Sequence, residues 1–373
     1  MATTTEERLE LATAARRLCR ERFGAAAVRR LRDDPPPAGE AETWPELAGL
    51  GWTGLLVDPS LGGSGAGMAE VVVVLAELGR VLAVTPMLAS AVVAVTALSA
   101  AGAPEPFRAR LEELARGESV VVVAHTEGDE FQPAEQAPTA VTATRVDDAW
   151  RVVGTKRWVP FAPAATHLLV TATTNANEGA FAGVLVDAAD RGVGLVAGRS
   201  LDGHPIAHVD LDVVVPIEHV VEDIRPGLDL AHQRGFVALA ATMAGGQRRA
   251  LELTTTHLRE RIQFGVPIGA FQALQHRAAD LHCEVERSDA IVARAARSID
   301  QDATKARRAV HAAMVTVARS YLRTAEEGIQ LHGGIGMTDE AEIGFHLKAA
   351  RVAQLTLGDP SHHRDRFATA SGY

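Results

Sequence analysis

The sequence predicts an α+β fold in three consecutive parts: a helical domain, a small β domain and a helical bundle. Apolar residues recur at helical spacing up to about residue 118, at a spacing of two from there to about residue 222, and at helical spacing again afterwards. A chain of 373 residues with 47% apolar residues can build a large core divided between two or three domains. We therefore expect domains at residues 1–118, 119–222 and 223–373.

The first part is expected to be helices separated by proline and glycine. A helix that begins at residue 6 should stop at the proline run of residues 35–37, because proline lacks the N–H that a helix interior needs. A second helix is expected over residues 43–50. Residues 81–103 carry no charge, but Pro86 and several small and hydroxyl residues interrupt them, which favours a buried helix over a membrane span.

A glycine-rich segment, LGGSGAG at residues 61–67, precedes the next helix. It lacks the G-x-G-x-x-G spacing and the strand-turn-helix context of a dinucleotide fingerprint, so we predict an ordinary loop. The helix expected over residues 68–82 has its valines and leucines on one face and Glu70 and Glu77 on the other.

Between residues 119 and 222 the chain is expected to form short strands separated by turns. Turn residues occur at Asp147 and Asp148, at residues 175–179, and at Asp202 and Gly203. The expected strands are residues 120–123, 140–144, 150–153, 167–171, 181–186, 192–196 and 209–215. Short antiparallel strands at this spacing favour a small barrel or sandwich.

Helical spacing returns from about residue 227. One stripe of apolar residues follows a single helix face: Met314, Val317, Ala318, Tyr321, Leu322, Ala325 and Ile329. Long helices joined by short loops indicate a bundle.

Composition excludes several classes of function. The net charge is −10, and every block of lysines and arginines is interleaved with acids or alanines, so a nucleic-acid binder is not expected. The two cysteines, Cys19 and Cys283, lie far apart and indicate a reducing, cytoplasmic location without metal or disulfide. The polar N-terminus predicts no secretory signal. We interpret His362 and His363 as a surface tail, since no third metal ligand is evident.

Two motifs in the last part suggest a bound phosphate-containing ligand. Residues 261–272 read RIQFGVPIGAFQ, where arginine can pair with a phosphate through two N–H groups. Residues 330–338 read QLHGGIGMT, where glycines let backbone N–H groups approach a ligand closely. Taken singly, the first could be a helix corner and the second a helix C-cap.

Together and in this order, the two motifs resemble the acyl-CoA dehydrogenase family of flavoproteins. The resemblance covers nearly the whole chain. It includes LAGLGW at residues 47–52 with the glycine-rich loop, Thr126-Glu127, GTKRW at residues 154–158, and LDG at residues 201–203. The family architecture is an N-terminal helical domain, a central β domain and a C-terminal four-helix bundle, in agreement with the periods above.

The resemblance implies FAD bound between domains and between subunits, in a dimer of dimers. Thr126 and Trp158 would contact the isoalloxazine, although Trp158 could instead be a core aromatic residue. From a neighbouring subunit, Arg261 would reach the pyrophosphate beside Phe264 and Gln272. The adenosine or pyrophosphate portion would lie along Gln330, Gly333 and Gly334.

The sequence departs from the family at the catalytic base. Family members remove the substrate α-proton with a carboxylate while the β-hydride moves to the flavin, and many carry that glutamate in the stretch that matches residues 355–359. Leu357 occupies the position here. Other members carry the base early in the first bundle helix, near Gly235 or Thr242 in this chain, and neither residue is acidic. The loop that follows Glu127, GDEFQP, also differs from the family's Pro-Gly-x-Gly-Ser-Asp pattern.

Three hypotheses remain. The chain could desaturate an acyl-CoA or acyl-ACP thioester with a relocated base, for which Asp359, Glu127 and Asp129 are weak candidates. It could be a base-less subunit of a heteromeric dehydrogenase of the pimeloyl-CoA dehydrogenase type, forming a heterotetramer with a second dehydrogenase-like chain. It could also be a flavoprotein recruited to monooxygenase or redox-neutral chemistry, or a non-catalytic assembly subunit. The family generally passes its electrons to an electron-transfer flavoprotein.

Overall fold

A computed structural model describes residues 4–34, 36, 43–102, 104–174 and 181–373 of the chain. These residues form two compact units. Within the described ranges, unit 1 comprises residues 34–71 and 84–235, and unit 2 comprises residues 4–33, 72–83 and 236–373. The turn predicted at residues 175–179 lies outside the described residues. The domain boundaries predicted near residues 118 and 222 stay predictions.

Helices occupy both ends of the chain, as predicted. In the described residues they are α1 (Thr5–Arg22), α2 (Ala25–Asp33), α3 (Trp44–Gly49), α4 (Met68–Arg80), α5 (Val95–Ala100), α6 (Glu105–Arg116), α7 (Arg225–Glu260), α8 (Gln272–Gln301), α9 (Ala303–His332), α10 (Ile343–Ala353) and α11 (Pro360–Ala370). A π-helical segment, Met87–Ala94, leads into α5 and is almost entirely buried. No helix in the described part of the chain is both long and apolar enough to cross a membrane.

The first helix ends earlier than the proline run predicts. Gly24 adopts φ +126°, a conformation that glycine reaches without strain, and separates α1 from α2. At the other end of α1, Thr4 and Glu7 form a capping box in which each side chain accepts the other residue's backbone N–H.

Glu70 and Glu77, expected on the face of α4 opposite its valines and leucines, are both buried. Glu77 accepts two hydrogen bonds from the Arg16 guanidinium, at 2.7 and 3.2 Å. Glu70 accepts the backbone N–H of Gly67 at 3.0 Å and so caps the start of α4. Each carboxylate is buried because a donor meets it there.

All seven predicted strands are present between residues 119 and 222. In the described residues the strands of this region are β1 (Val121–Ala124), β2 (Thr142–Val146), β3 (Ala149–Pro160), β4 (His167–Thr174), β5 (Phe181–Asp187), β6 (Val193–Arg199), β7 (Pro205–Pro216) and the short β8 (Val220–Val221). β3 and β7 are longer than predicted, and β8 was not predicted.

These strands form one sheet in the order β6-β7-β3-β2-β4-β5-β8, with β1 also paired to β4. Most pairs are antiparallel, but β1 and β2 each pair with β4 in parallel, which the expectation of antiparallel strands missed. The register between β3 and β7 shifts between Lys156 and Val159, so β3 carries a bulge at Arg157 and Trp158. A bulge re-aims the side chains of the strand that carries it.

Unit 2 is built mainly from α7 to α11. The apolar stripe predicted on α9 is buried at Met314, Val317, Ala318, Tyr321 and Ala325. A two-stranded hairpin, β9 (Ile262–Gln263) and β10 (Val266–Pro267), joins α7 to α8.

The backbones of α4 and α7 touch where each helix has a glycine. A Cβ added at Gly79 would lie 2.1 Å from the carbonyl oxygen of Thr242, and one added at Gly245 would lie 1.8 Å from that of Ala76. Both neighbours are main-chain atoms, which a rotamer change cannot move. The helices can therefore approach this closely only with glycine at both positions.

We expect Gly245→Ala to lower the free energy of unfolding by about 2 to 3 kcal/mol, because the added methyl group must push two helix backbones apart. Urea denaturation measures the loss. The matched control is Gly344→Ala in α10, where an added Cβ meets no atom within 4 Å. That variant should be neutral or more stable by up to about 1 kcal/mol. Equal stability of the two variants would contradict the close crossing.

Candidate functional site

In unit 1, the segment that follows β1 is tied to β3 by a buried ion pair. The ammonium group of Lys156 is fully buried and donates to Glu127 Oε1 at 2.7 Å, to the His125 carbonyl oxygen at 3.1 Å and to Thr171 Oγ1 at 3.1 Å. The Glu127 carboxylate also accepts the backbone N–H groups of residues 139, 140 and 141, at 2.6 to 3.0 Å. We call Glu127 and Lys156 the buried clamp.

The pKa values of both members of the buried clamp differ from their usual values. Burial by itself would raise the pKa of Glu127, but the Lys156 ammonium and the backbone donors outweigh it, so this pKa lies below its usual range. Burial lowers the pKa of Lys156 to about 8, against the opposing effect of Glu127. A carboxylate held by this many donors is poorly suited to accept a substrate proton.

Next to the clamp, the bulge of β3 exposes Trp158. Its backbone adopts φ +55°, and 45% of the residue is exposed. The ring meets the His208 ring edge-on, with centroids 4.6 Å apart. The backbone N–H of Arg157 donates to the Thr126 carbonyl oxygen at 2.7 Å, so Thr126 and Trp158 lie on adjoining segments. The alternative of a core aromatic at position 158 does not fit an exposed ring.

In unit 2, Arg261 and Phe264 lie on the hairpin segment between α7 and α8, Gln272 is the first residue of α8, and all three are exposed. Phe264 is 91% exposed and adopts φ +54°. Left-handed backbone at a residue with a Cβ is strained, and such strain concentrates at functional sites. The second motif, at the end of α9, exposes Gln330, Gly333 and Gly334.

The structure brings these two motifs together. His257, in the last turn of α7, stacks on His332 with ring centroids 4.4 Å apart. The backbone N–H of Arg261 donates to the His257 carbonyl oxygen, and Gly333 directly follows His332. A shared apolar cluster joins Leu331 to Ile268 on the hairpin side.

The weak candidates for a base all have other partners. Asp359 caps α11, accepting the backbone N–H of His362 at 2.7 Å. Asp129 pairs with Arg157 at 2.8 Å on the surface, and Glu127 belongs to the buried clamp. Leu357, in the loop between α10 and α11, adopts φ +57°.

The interpretation of His362 and His363 as a surface tail is wrong for His363, which is only 1% exposed. Its Nδ1 lies 2.9 Å from Nδ1 of His311 on α9, and its Nε2 lies 3.1 Å from the Leu357 carbonyl oxygen. α11 packs this part of the chain onto α9, which no local pattern indicated. Among the described residues, no group of three or more histidine, cysteine, aspartate or glutamate side chains is arranged to hold a metal ion.

Models of a single protein family match most of the chain. Acyl-CoA dehydrogenase, N-terminal domain, matches residues 5–118, and Acyl-CoA dehydrogenase, C-terminal domain, matches residues 229–371. The chain belongs to the acyl-CoA dehydrogenase family. It is therefore an oxidoreductase of the acyl-CoA dehydrogenase type, as the resemblance implied.

Relatives of similar length support this assignment. Acyl-CoA dehydrogenase FadE27 of Mycobacterium tuberculosis is 29% identical over 331 residues, which cover 86% of this chain and 85% of FadE27. Acyl-CoA dehydrogenase IpdE2 of the same organism is 29% identical over 362 residues, covering 96% and 95%.

Solved acyl-CoA dehydrogenase structures share the fold. A chain of the ChsE4-ChsE5 complex from Mycobacterium tuberculosis superimposes with a TM-score of 0.87 at 27% identity, covering 98% of this chain and 97% of its own. A chain of the Tcur3481-Tcur3483 steroid ACAD, solved as a variant, has a TM-score of 0.86 at 29% identity, covering 99% and 98%. Butyryl-CoA dehydrogenase from Megasphaera elsdenii, at 19% identity and a TM-score of 0.89 over 100% and 99%, agrees in fold alone.

FAD is the cofactor of the acyl-CoA dehydrogenase family, and the residues of this chain fit it. Arg261 presents an exposed guanidinium, the group best suited to pair with a pyrophosphate. The backbone of Gly333 and Gly334 is accessible to a ligand, since a Cβ added at either residue would meet no atom within 4 Å. Trp158 offers an exposed aromatic face. These residues would hold the dinucleotide and the ring, in the roles that the resemblance gave them.

Sequence reasoning gave no role to Lys156 or His311. A signal for Lys156 existed, because the alternation through Trp150 and Val152 continues to position 156 and places the lysine on the buried face of β3. No such signal marked His311, which is one polar residue among the apolar positions of a long helix.

Proposed function

We propose that this chain is one subunit of a heteromeric, FAD-dependent acyl-CoA dehydrogenase that desaturates an acyl thioester between its α and β carbons, and that a second dehydrogenase-like chain supplies the base. One observation carries this proposal. Leu357 stands where many family members have a glutamate, and the nearby carboxylate, Asp359, is engaged as a helix cap.

The reaction needs two acceptors at the substrate. A carboxylate must take the α-proton, and bound FAD supplies the acceptor for the β-hydride. The described residues of this chain offer features that would hold the second acceptor, FAD. The buried clamp fixes the segment that contains Thr126, and the bulge of β3 exposes Trp158. The exposed Arg261 could pair with the pyrophosphate.

The exposed apolar side chains of unit 2 support assembly with another chain. They are Ile262 (61% exposed), Phe264 (91%), Ile335 (44%) and Met337 (81%), all on the two cofactor motifs. Large exposed apolar side chains grouped on one part of a protein are typical of interaction surfaces. Two similar structures are named as pairs of different chains, ChsE4-ChsE5 and Tcur3481-Tcur3483.

The substrate class follows from the same comparison. One of these structures is described as a steroid ACAD, so a steroid-derived acyl-CoA is the first thioester to assay. Acyl-ACP is the alternative carrier, and an electron-transfer flavoprotein is the electron acceptor that the family suggests. A homo-oligomeric dimer of dimers with a relocated base is the competing assembly.

The test compares the chain purified alone with the chain co-expressed with a second dehydrogenase-like chain. Released flavin is counted per chain, and bleaching of the flavin absorbance by acyl-CoA is timed without oxygen. We expect the complex to bleach at least a hundredfold faster than the single chain, because only the complex holds a base. Stoichiometric FAD and equally fast bleaching in the single chain would overturn the proposal.

Asp359→Asn, made in the complex, is the internal control. Asparagine also caps helices, so α11 should keep its cap and the bleaching rate should stay within twofold. If this variant abolishes bleaching while FAD stays bound, the base resides in this chain and the relocated-base hypothesis replaces the heteromer.

A further inference from the structure

Two buried histidines lie under the loop between α10 and α11. His363 is 1% exposed and His311 is 4% exposed, and their Nδ1 atoms are 2.9 Å apart. The other ring nitrogen of His363, Nε2, lies 3.1 Å from the carbonyl oxygen of Leu357. The Phe236 ring packs edge-on against His363, with centroids 4.8 Å apart, and so covers one side of the pair.

The carbonyl oxygen fixes the direction of these hydrogen bonds. A carbonyl only accepts, so His363 Nε2 must carry a proton and donate it to Leu357. Burial, with the neighbouring histidines, lowers the pKa of His363 to about 3, so the ring is neutral and its Nδ1 carries no proton. His311 Nδ1 must therefore donate to His363 Nδ1. The chain of bonds runs in one direction, from α9 through His363 to the loop.

The last bond in this chain restrains a strained residue. Leu357 has φ +57°, a left-handed conformation that is strained for a residue with a Cβ. Gly358 follows with φ +101°, and Asp359 then caps α11. A conformation of this kind persists only where its surroundings enforce it. The Leu357 carbonyl is the point at which His363 can enforce it.

We propose that His363, oriented by His311, is a positioning residue that holds Leu357 in this left-handed bend and so fixes the apolar side chain at position 357 as a wall of the acyl site. The assignment of residue 357 to the acyl site rests on the proposed function. The hydrogen-bonded chain itself rests on the geometry of unit 2 alone.

Two substitutions at position 363 distinguish the hydrogen bond to Leu357 from the hydrogen bond to His311. The amide of glutamine takes the place of Nε2 and can still donate to Leu357, whereas the amide of asparagine takes the place of Nδ1 and cannot reach that carbonyl. In the full chain with FAD, we expect backbone hydrogen exchange over residues 354–359 to be at least tenfold faster in His363→Asn than in His363→Gln, which should resemble the native protein.

In the active complex, the same pair should split KM from kcat. We expect His363→Asn to raise KM for acyl-CoA several-fold with kcat within twofold, because a displaced wall loosens substrate binding, while His363→Gln keeps both within twofold. If the two variants match in exchange and in KM, whether both are native-like or both altered, the bond to Leu357 is not what holds the loop and the proposal is overturned.

If His363→Asn does not fold, His311→Gln gives the second test. It removes the donor to His363 Nδ1 and leaves the bond to Leu357 in place, so exchange over residues 354–359 should rise by a smaller factor. Unchanged exchange overturns the proposal. Exchange is measured on this chain without a second subunit, so the heteromer can fail its own test while the positioning role stands.

Discussion

Replacing Glu127 by glutamine is expected to lower the free energy of unfolding by about 3 kcal/mol. The substitution leaves Lys156 fully buried without a counter-charge, and removing one member of a buried ion pair typically costs about 3 to 5 kcal/mol. Urea denaturation, followed by circular dichroism at a fixed FAD concentration, measures the loss.

The same substitution should weaken FAD binding at least tenfold. Glu127 holds the backbone of residues 139–141 and directly follows Thr126, so loss of its charge frees the segment that would contact the flavin ring. Released flavin per chain after dialysis reports this change. A variant that loses stability and keeps full FAD affinity would show that the clamp does not position the FAD-binding segment.

Lys156→Met should be milder, at about 1 to 3 kcal/mol, because Glu127 keeps its backbone donors. The double variant should lose less than the sum of the two single losses, because the partners form one interaction. Asp129→Asn is the matched control: it breaks the exposed pair with Arg157 and should cost less than about 1 kcal/mol. A loss in Glu127→Gln no larger than in this control would contradict the clamp.

The three-part organisation could be predicted because each part has its own local period. The switch to a spacing of two located all seven predicted strands, and the apolar stripe of α9 is buried where expected. The two motifs at residues 261–272 and 330–338 could also be singled out, because arginine and glycine have few substitutes for phosphate pairing and close backbone approach. Their role in binding FAD stays a prediction. Such features depend on neighbours in sequence.

The buried polar side chains could not be predicted, because their partners are distant in sequence. Glu77 is buried because Arg16, 61 residues earlier, pairs with it. Lys156 needs Glu127, 29 residues away, and His363 needs His311, 52 residues away. In each case the polar residue is buried only because the tertiary fold supplies a donor or an acceptor, and one sequence does not reveal which.

The buried histidines carry the second large expectation, a steep loss of stability in mild acid. Burial lowers the pKa of His125 to about 4, that of His311 to about 4 and that of His363 to about 3. In the unfolded chain each returns to about 6.5. Between pH 6.5 and pH 4 the unfolded chain therefore binds protons that the folded chain refuses, so the free energy of unfolding falls as the pH falls.

Each such proton changes the free energy of unfolding by about 1.4 kcal/mol per pH unit, so the three histidines together approach about 4 kcal/mol per unit below pH 6. The carboxylates add their own loss lower down, since the pKa of Glu342 is held at about 2: burial would raise it, but His346 and Arg249 outweigh burial. Urea denaturation at pH 7.5, 6.5, 5.5 and 5.0 measures the slope. His363→Gln removes one such group, so its slope should be smaller by up to about 1.4 kcal/mol per pH unit. A stability that stays level between pH 6.5 and pH 5 would mean that these rings take up protons within the fold, which their burial and the one-directional bond to Leu357 oppose.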